Sequence, residues 1–413
     1  MKTFFDFRWK ADALAKNYRG PAFEVLYWDG ICDRFGTGEP FARINFKTKK
    51  AFLRSMITKD LGFGEGYVSR EITIDGDLQK LMAAFGDIFK EVKLQNVWQR
   101  FTQKVLARSL KREKLHIEHH YGLGNDFYQF YLDKKLQYSC AYFKTLNDTI
   151  DQAQEQKIEH TCRKLYLKKG QRLLDIGCGW GHLMFHAAKK YGVSCVGITL
   201  CDNQADYIRK YAKEHNLPVE VRVQNYLELP DDEQWERLVS VGMMCHIGQK
   251  RIDQFWDKVQ SLMAPGGICL LHCISKMKES SDTSAFVQKY IFPGYWYNSL
   301  EGLVSRAVDR DFNVIDIENL RRHYAQTVVH WRAKLLENYD AIKEKMGFTD
   351  EFMRAWEFYF AIGAAGFTAG SSNLIQMVMS KGINDDYPWT RDFLYASTKS
   401  KAAPKQPEAN AVQ

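Results

Sequence analysis

No C-x-x-C pair occurs anywhere in the 413 residues, and the nine cysteines (32, 140, 162, 178, 195, 201, 245, 269, 273) are scattered singly. An odd, unpaired set argues against a disulfide framework or a zinc site and fits a reducing cytoplasm. No apolar run opens the chain either. MKTFFDFRWKADALAKNYRG alternates aromatics with charges, so no signal peptide is expected. The stretch from Phe358 to Ser380 goes 23 residues without a charge. Its Gly363, Gly366 and Gly370, followed by Ser371, Ser372 and Asn373, have the composition of a turn, so a buried helix and then a short strand (LIQMVM) are predicted in place of a membrane span. Nor is charge of one sign in large excess: 58 basic residues against 50 acidic leave +8. That favours an anionic surface and is too little to argue for nucleic acid. Core-forming residues are plentiful, at 45% hydrophobic and 14% aromatic, which excludes a disordered or fibrous chain.

The length suggests roughly two to three domains. Residues 1–89 read as a small α+β accessory unit, with strand-like PFARINF and REITIDG, glycine-rich turns FGTGEP and LGFGEGY, and a helix near 48–59. Residues 90–115 differ in kind. Lys90 to Lys114 carries eight Lys/Arg and two Glu, with Leu94, Val97, Trp98, Phe101, Val105 and Leu110 at helical spacing. This is the pattern of a basic amphipathic linker helix at a phospholipid surface, or of a linker helix packed on a neighbouring domain. Over 116–395 strand-like segments (QRLLDI, VSCVGIT, VEVRVQN, RLVSVGM, GICLLHCI) alternate with helical ones (182–191, 203–215, 250–263), which predicts an α/β, doubly wound, Rossmann-like domain with a parallel sheet. Residues 396–413 hold no aromatic, Leu or Ile and read as a disordered tail.

The strongest local signal is Leu173-Leu174-Asp175-Ile176-Gly177-Cys178-Gly179-Trp180-Gly181, a strand running into a glycine turn and a helix. Glycines allow close backbone approach to a ligand at a helix N-terminus. The loop lacks the G-x-x-G spacing of a dinucleotide fingerprint and has an acidic residue just before it. It resembles motif I of the class I S-adenosylmethionine (SAM) methyltransferases.

The resemblance narrows when further segments are added. YSCAYF (138–143), LDIGCGWGHL (174–183), GITLCDNQ (197–204), VGMMCHIG (241–248), LLHCI (270–274), KYIFPG (289–294), HYGLGNDFYQFYLD (120–133) and WEFYFAIGAAGFTAG (356–370) resemble, in order, the motifs of the cyclopropane-fatty-acyl-phospholipid synthases. The resemblance implies a SAM pocket lined by Tyr138 and Ser139, by Asp175, Gly177, Cys178, Gly179, Trp180 and Gly181, by Thr199, Leu200 and Gln204, and by Asn225 and Tyr226. Asn225 stands where the bacterial family usually has Asp. The family methylates a cis alkene of a lipid acyl chain and removes a proton from the resulting cation with a bound bicarbonate. Its cradle would come here from Cys140, His272 and Tyr324, with the backbone of Ile274.

Cys140 also reads as a buried filler, and His272 as a core histidine. Position at the C-terminal end of a strand, where α/β ligands bind, favours the catalytic role for His272. His116, His119 and His120, and the pair His182 and His186, lack a third ligand at useful spacing, so no metal is expected. The main departure is Cys245-His246, where the family has Glu-His; that glutamate would orient the bicarbonate, and a thiol is a weaker acceptor. Gly363 and Thr368 replace a cysteine and an arginine of the family. The resemblance implies cyclopropanation, with a methyl-branched or methylene product, another alkene or amine substrate, or a lapsed lipid-binding homologue as alternatives. A homodimer, peripheral on the cytoplasmic membrane face, is expected.

Overall fold

The computed structural model describes residues 18–91, 124–278 and 283–396. Nearly all of the basic segment 90–115, with His116, His119 and His120, and residues 397–413 of the expected tail lie outside the described residues.

The amino-terminal unit is built from β1 (Phe23–Leu26), β2 (Cys32–Phe35), β3 (Ala42–Phe46), α1 (Lys49–Thr58), α2 (Asp60–Val68), β4 (Ile72–Gly76) and α3 (Leu78–Glu91). Its strands lie in the order β2-β1-β3-β4. FGTGEP is a turn, with Gly36 and Gly38 at φ of 82° and 85°. LGFGEGY is not: it forms α2, against the expectation of a turn. Its glycines serve contact instead of chain reversal. A Cβ at Gly62 would run into the Arg54 backbone, one at Gly66 into Ile72, and one at Gly64 into the rings of Phe286 and Phe358.

Then follow α4 (Gly124–Tyr131), α5 (Ile150–Lys164), β5 (Arg172–Ile176), α6 (His182–Tyr191), β6 (Ser194–Thr199), α7 (Asp202–Glu214), β7 (Val219–Val223), β8 (Trp235–Val241), α8 (Ile252–Leu262) and β9 (Met263–Lys276). After them come α9 (Ala285–Tyr290), β10 (Asn298–Ser299), α10 (Leu300–Val308), β11 (Phe312–Asn319), α11 (Arg321–Glu337), α12 (Tyr339–Met346), α13 (Asp350–Ala369), β12 (Asn373–Lys381) and α14 (Asp392–Tyr395). The strand order is β11-β12-β9-β8-β5-β6-β7, with β10 paired to the end of β9.

The strands β5 to β9 pair in parallel, as the alternation predicts. The sheet as a whole is mixed, because β12 runs antiparallel to both β9 and β11. The reason is where α13 ends: its Gly370 cap (φ 79°) delivers the chain level with Ser275, at the C-terminal end of β9, so the next strand has to run back. The uncharged stretch is thus a buried helix and a strand. Among the described residues, no helix is long and apolar enough to cross a membrane. The neighbours of β5 lie on opposite sides of it, β6 on one and β8 on the other, which opens a crevice at the C-terminal ends of β5 and β8, the usual ligand position.

Candidate active site

The glycine loop closes this crevice. Gly177, Gly179 and Gly181 all have left-handed backbone, with φ of 84°, 53° and 77°. A Cβ at Gly177 would press on Met243 at 2.9 Å and one at Gly181 on Ile208 at 2.8 Å, whereas a Cβ at Gly179 meets nothing within 4 Å among the described residues. Gly179 is therefore the open face of the loop. Cys178 points the other way, into the core beside Gly197, so only its backbone faces a ligand, a restriction on the sequence expectation. Trp180 stands edge-on to Tyr207 at 5.4 Å.

Asp175, at the end of β5, is buried; burial raises its carboxyl to about 7, while the charge of Lys157 pulls it down. After β6, Thr199 and Gln204 hydrogen-bond at 2.7 Å, and Leu200 is 74% exposed beside them. Asn225 Oδ1 accepts from Leu227 N at 3.0 Å, which caps the turn Tyr226–Glu228 and leaves the amide NH2 for a ligand edge. Tyr226 is braced by Phe255 at 5.5 Å.

The YSC segment is held from below and from the side. Gln154 donates to the Ser139 carbonyl at 2.8 Å, Lys157 Nζ to Ser139 Oγ at 3.0 Å, and Ala141 N to Thr327 Oγ1 at 3.0 Å. The hydroxyls of Tyr138 and Tyr359 meet at 3.2 Å.

His272 lies on β9 opposite Gln376 on β12. Thr161 donates its hydroxyl to Lys157 O at 2.8 Å, so its oxygen is left to accept from Gln376 Nε2 at 3.4 Å. The same Nε2 lies 3.0 Å from His272 Nδ1. With the amide nitrogen turned to both, Nδ1 accepts and the imidazole proton sits on Nε2. Burial first, then Lys157 and Lys164, hold His272 well below its ordinary value, so it is neutral. Its buried Nε2 has no partner among the described residues. Tyr324, stacked on Phe367 at 4.4 Å, is buried within Coulombic reach of Cys140 and Cys245. A buried N–H left free to donate suits a small oxyanion such as bicarbonate.

Cys140 is a neutral thiol pushed up by burial, its proton turned to the carbonyls of Ala141 at 3.2 Å and Leu320 at 3.9 Å. Ile274 pairs with Leu374, next to this group. Cys245 Sγ approaches Gly242 O at 3.3 Å. Burial opposes ionisation of its thiol, but the adjoining His246 outweighs this and holds it below the ordinary value; Cys245 in turn raises His246. Thr368 and Phe367 present their carbonyls to Arg321, which reaches across from α11. His186 is taken by Glu159 at 2.8 Å, and no three-residue metal cluster exists among the described residues.

Sequence reasoning missed Lys157, Thr161 and Gln376. Gln376 carried a signal, as the one polar residue inside LIQMVM. Lys157 carried none: it sits in a helix that reads as solvated.

The family model described as mycolic acid cyclopropane synthetase matches residues 108–377, and a second, described only as a domain of unknown function, matches residues 11–90. A probable fatty acid methyltransferase of Pseudomonas putida is 31% identical over 91% of this chain and 98% of its own. The cyclopropane-fatty-acyl-phospholipid synthase of Escherichia coli K12 is 33% identical over 89% of this chain and 95% of its own. Among solved structures, mycolic acid cyclopropane synthase CmaA1 complexed with SAH and CTAB superposes with a TM-score of 0.59 at 31% identity, over 64% of this chain and 96% of that one.

Proposed function

Because the chain belongs to the mycolic acid cyclopropane synthetase family and is a SAM-dependent methyltransferase, we propose that it methylates the cis double bond of an unsaturated phospholipid acyl chain and closes a cyclopropane ring. The observation that carries the reading is the neutral, buried His272, whose Nε2–H has no partner among the described residues.

An alkene is a poor nucleophile, so positioning and exclusion of water supply much of the rate. The loop 175–181, with Tyr138, Ser139, Thr199, Gln204, Asn225 and Tyr226, would bind SAM, which supplies an electrophilic methyl. Once the alkene has taken the methyl, a proton must leave the new methyl for the ring to close. Bound bicarbonate supplies a base of suitable strength; His272 Nε2–H and the Tyr324 hydroxyl would hold it by donation, with Cys140 and the Ile274 backbone completing the cradle. The E. coli relative is named for phospholipid as substrate, which supports the lipid class. Segment 90–114 would bring the enzyme to an anionic bilayer from the cytoplasmic side, and the family resemblance supports a homodimer.

Cys245 favours a second reading. Its thiol is drawn toward ionisation by His246 and offers no carboxylate acceptor to orient a base. The same carbocation would then shift a hydride and lose a different proton, giving a methylene chain or a methyl-branched chain that keeps a double bond. Mass spectrometry of lipids from cells expressing the protein, with labelled methionine, tests both. Cyclopropane chains bearing the label support the first reading; labelled branched or methylene chains alone support the second; no labelled lipid refutes both.

A further inference from the structure

Helix α5 buries its polar side. It starts at a capping box formed by Thr149 and Gln152, and its inward residues include Gln154, Lys157, His160, Thr161 and Lys164. A buried ammonium without partners costs several kcal/mol, so each buried lysine must be accounted for. Lys164 is: it pairs with Glu318 at 2.6 Å, on the side of β11. The partners of Lys157 are instead members of the site. Its Nζ donates to Ser139 Oγ at 3.0 Å, and it acts through space on Asp175, Asp133 and Cys140. The other titratable groups facing it are Cys162 on its own helix, His182 on α6 and His272 on β9. Among the described residues, Lys157 is the charge that lowers Asp175.

Resting on the reading of the glycine loop as the SAM pocket, we infer that Lys157 is a positioning residue of that pocket, pinning Ser139 and standing as the counter-charge to Asp175. Gln154, one turn earlier on the same helix, grips the Ser139 carbonyl, so the YSC segment is fixed at both a backbone and a side-chain atom. Burial lowers Lys157 to about 8 against the pull of Asp133, Cys140 and Asp175, so it is charged at neutral pH. That charge favours the carboxylate form of Asp175, which attracts a cationic methyl donor. The helix thereby ties the geometry of one pocket wall to the ionisation of another.

The test is calorimetric titration with SAM between pH 6 and 9 for the parent, Lys157→Met and Lys157→Arg, with KM and kcat alongside. Lys157→Met should weaken SAM by about tenfold or more, the scale of a lost hydrogen bond to a charged group. It should also move the acid limb of the affinity profile to higher pH and raise KM for SAM more than it lowers kcat. Lys157→Arg should keep the acid limb where the parent has it. The ligand's own titration is common to all three proteins and cancels. Should Lys157→Met fail to fold, Lys157→Gln takes its place, and the Arg variant carries the comparison on its own if needed. A neutral variant with the parent's affinity and limb, or an Arg variant whose limb moves, overturns the inference. A parent that binds no SAM overturns the pocket reading itself.

Discussion

Asp175 shows how one side chain sets a pH window. With its carboxyl raised to about 7 by burial, the folded chain holds a proton that the unfolded chain has already lost. The stability this group contributes is therefore present at low pH and lost as pH rises through about 7. The ligand-free protein should lose thermal stability from about pH 4 to about pH 7 and level off above it, while SAM affinity rises around pH 7 as the carboxylate forms. Asp175→Asn should flatten both curves, measured by scanning and titration calorimetry. Cys245 gives a second prediction at this scale. Cys245→Glu should raise ring closure if His272 and Tyr324 hold a bicarbonate whose hydroxyl donates to the new carboxylate. In a pocket rebuilt for another product the glutamate is an unpaired buried charge and depresses activity; chromatography with mass detection of the acyl chains distinguishes these. The legible residues were those in short motifs, such as the loop glycines and His272. Lys157 and Thr161 were hidden because a solvent-facing helix and one that buries a polar stripe are written in the same residues. Gln376 was hidden by the opposite effect, an apolar setting that makes a lone amide look incidental.

Elements were legible where hydrophobic period and punctuation agreed. β5 to β9 and their helices fall within a few residues of the expected ranges, and Gly370-Ser371-Ser372 divides α13 from β12 as its composition suggests. The antiparallel course of β12 was not legible, since strand direction depends on where the preceding helix ends. Helix α2 was misread for a reason of packing: glycine signals either a turn or a close approach, and only the neighbour decides. Gly64 lies under the rings of Phe286 and Phe358, which belong to the catalytic part of the chain. Gly64→Val should therefore destabilise by about 1–3 kcal/mol through overpacking. A substitution at Gly179 acts differently: its Cβ meets no described atom within 4 Å, so Gly179→Val should abolish SAM binding in calorimetry, and because the backbone there is left-handed the β-branched side chain should lower the melting temperature through strain and not through overpacking.

Across the whole molecule, the amino-terminal unit and the methyltransferase part share one core, with Phe63 and Tyr67 packed against Phe286, Phe358, Ala361 and Ala365. Polar links rim it: Ser284 donates to Asp60 at 2.6 Å, Lys289 pairs with Glu65 at 2.6 Å, and Tyr67 donates to Glu357 at 2.8 Å. Removing residues 1–89 should strip this face of α9 and α13, and the remainder should aggregate or melt well below the full chain in a thermal scan. If segment 90–114 meets anionic lipid, reversing several of its basic charges should weaken sedimentation with anionic vesicles, and salt should weaken the parent likewise.

The place of β12 in the sheet bears on how the chain is made. It lies between β11 and β9, yet among the described residues it follows every other strand in the sequence. While a ribosome is still extending the chain, the hydrogen-bonding edges of β9 and β11 that face each other across this gap stay unpaired, and His272 has no Gln376 to fix its tautomer. The pairing of residues as far apart as His272 and Gln376 slows this step. Until it happens, the nascent protein exposes two unpaired strand edges, that of the apolar β9 and that of the half-polar β11, the period in which it is most open to chaperones and to aggregation.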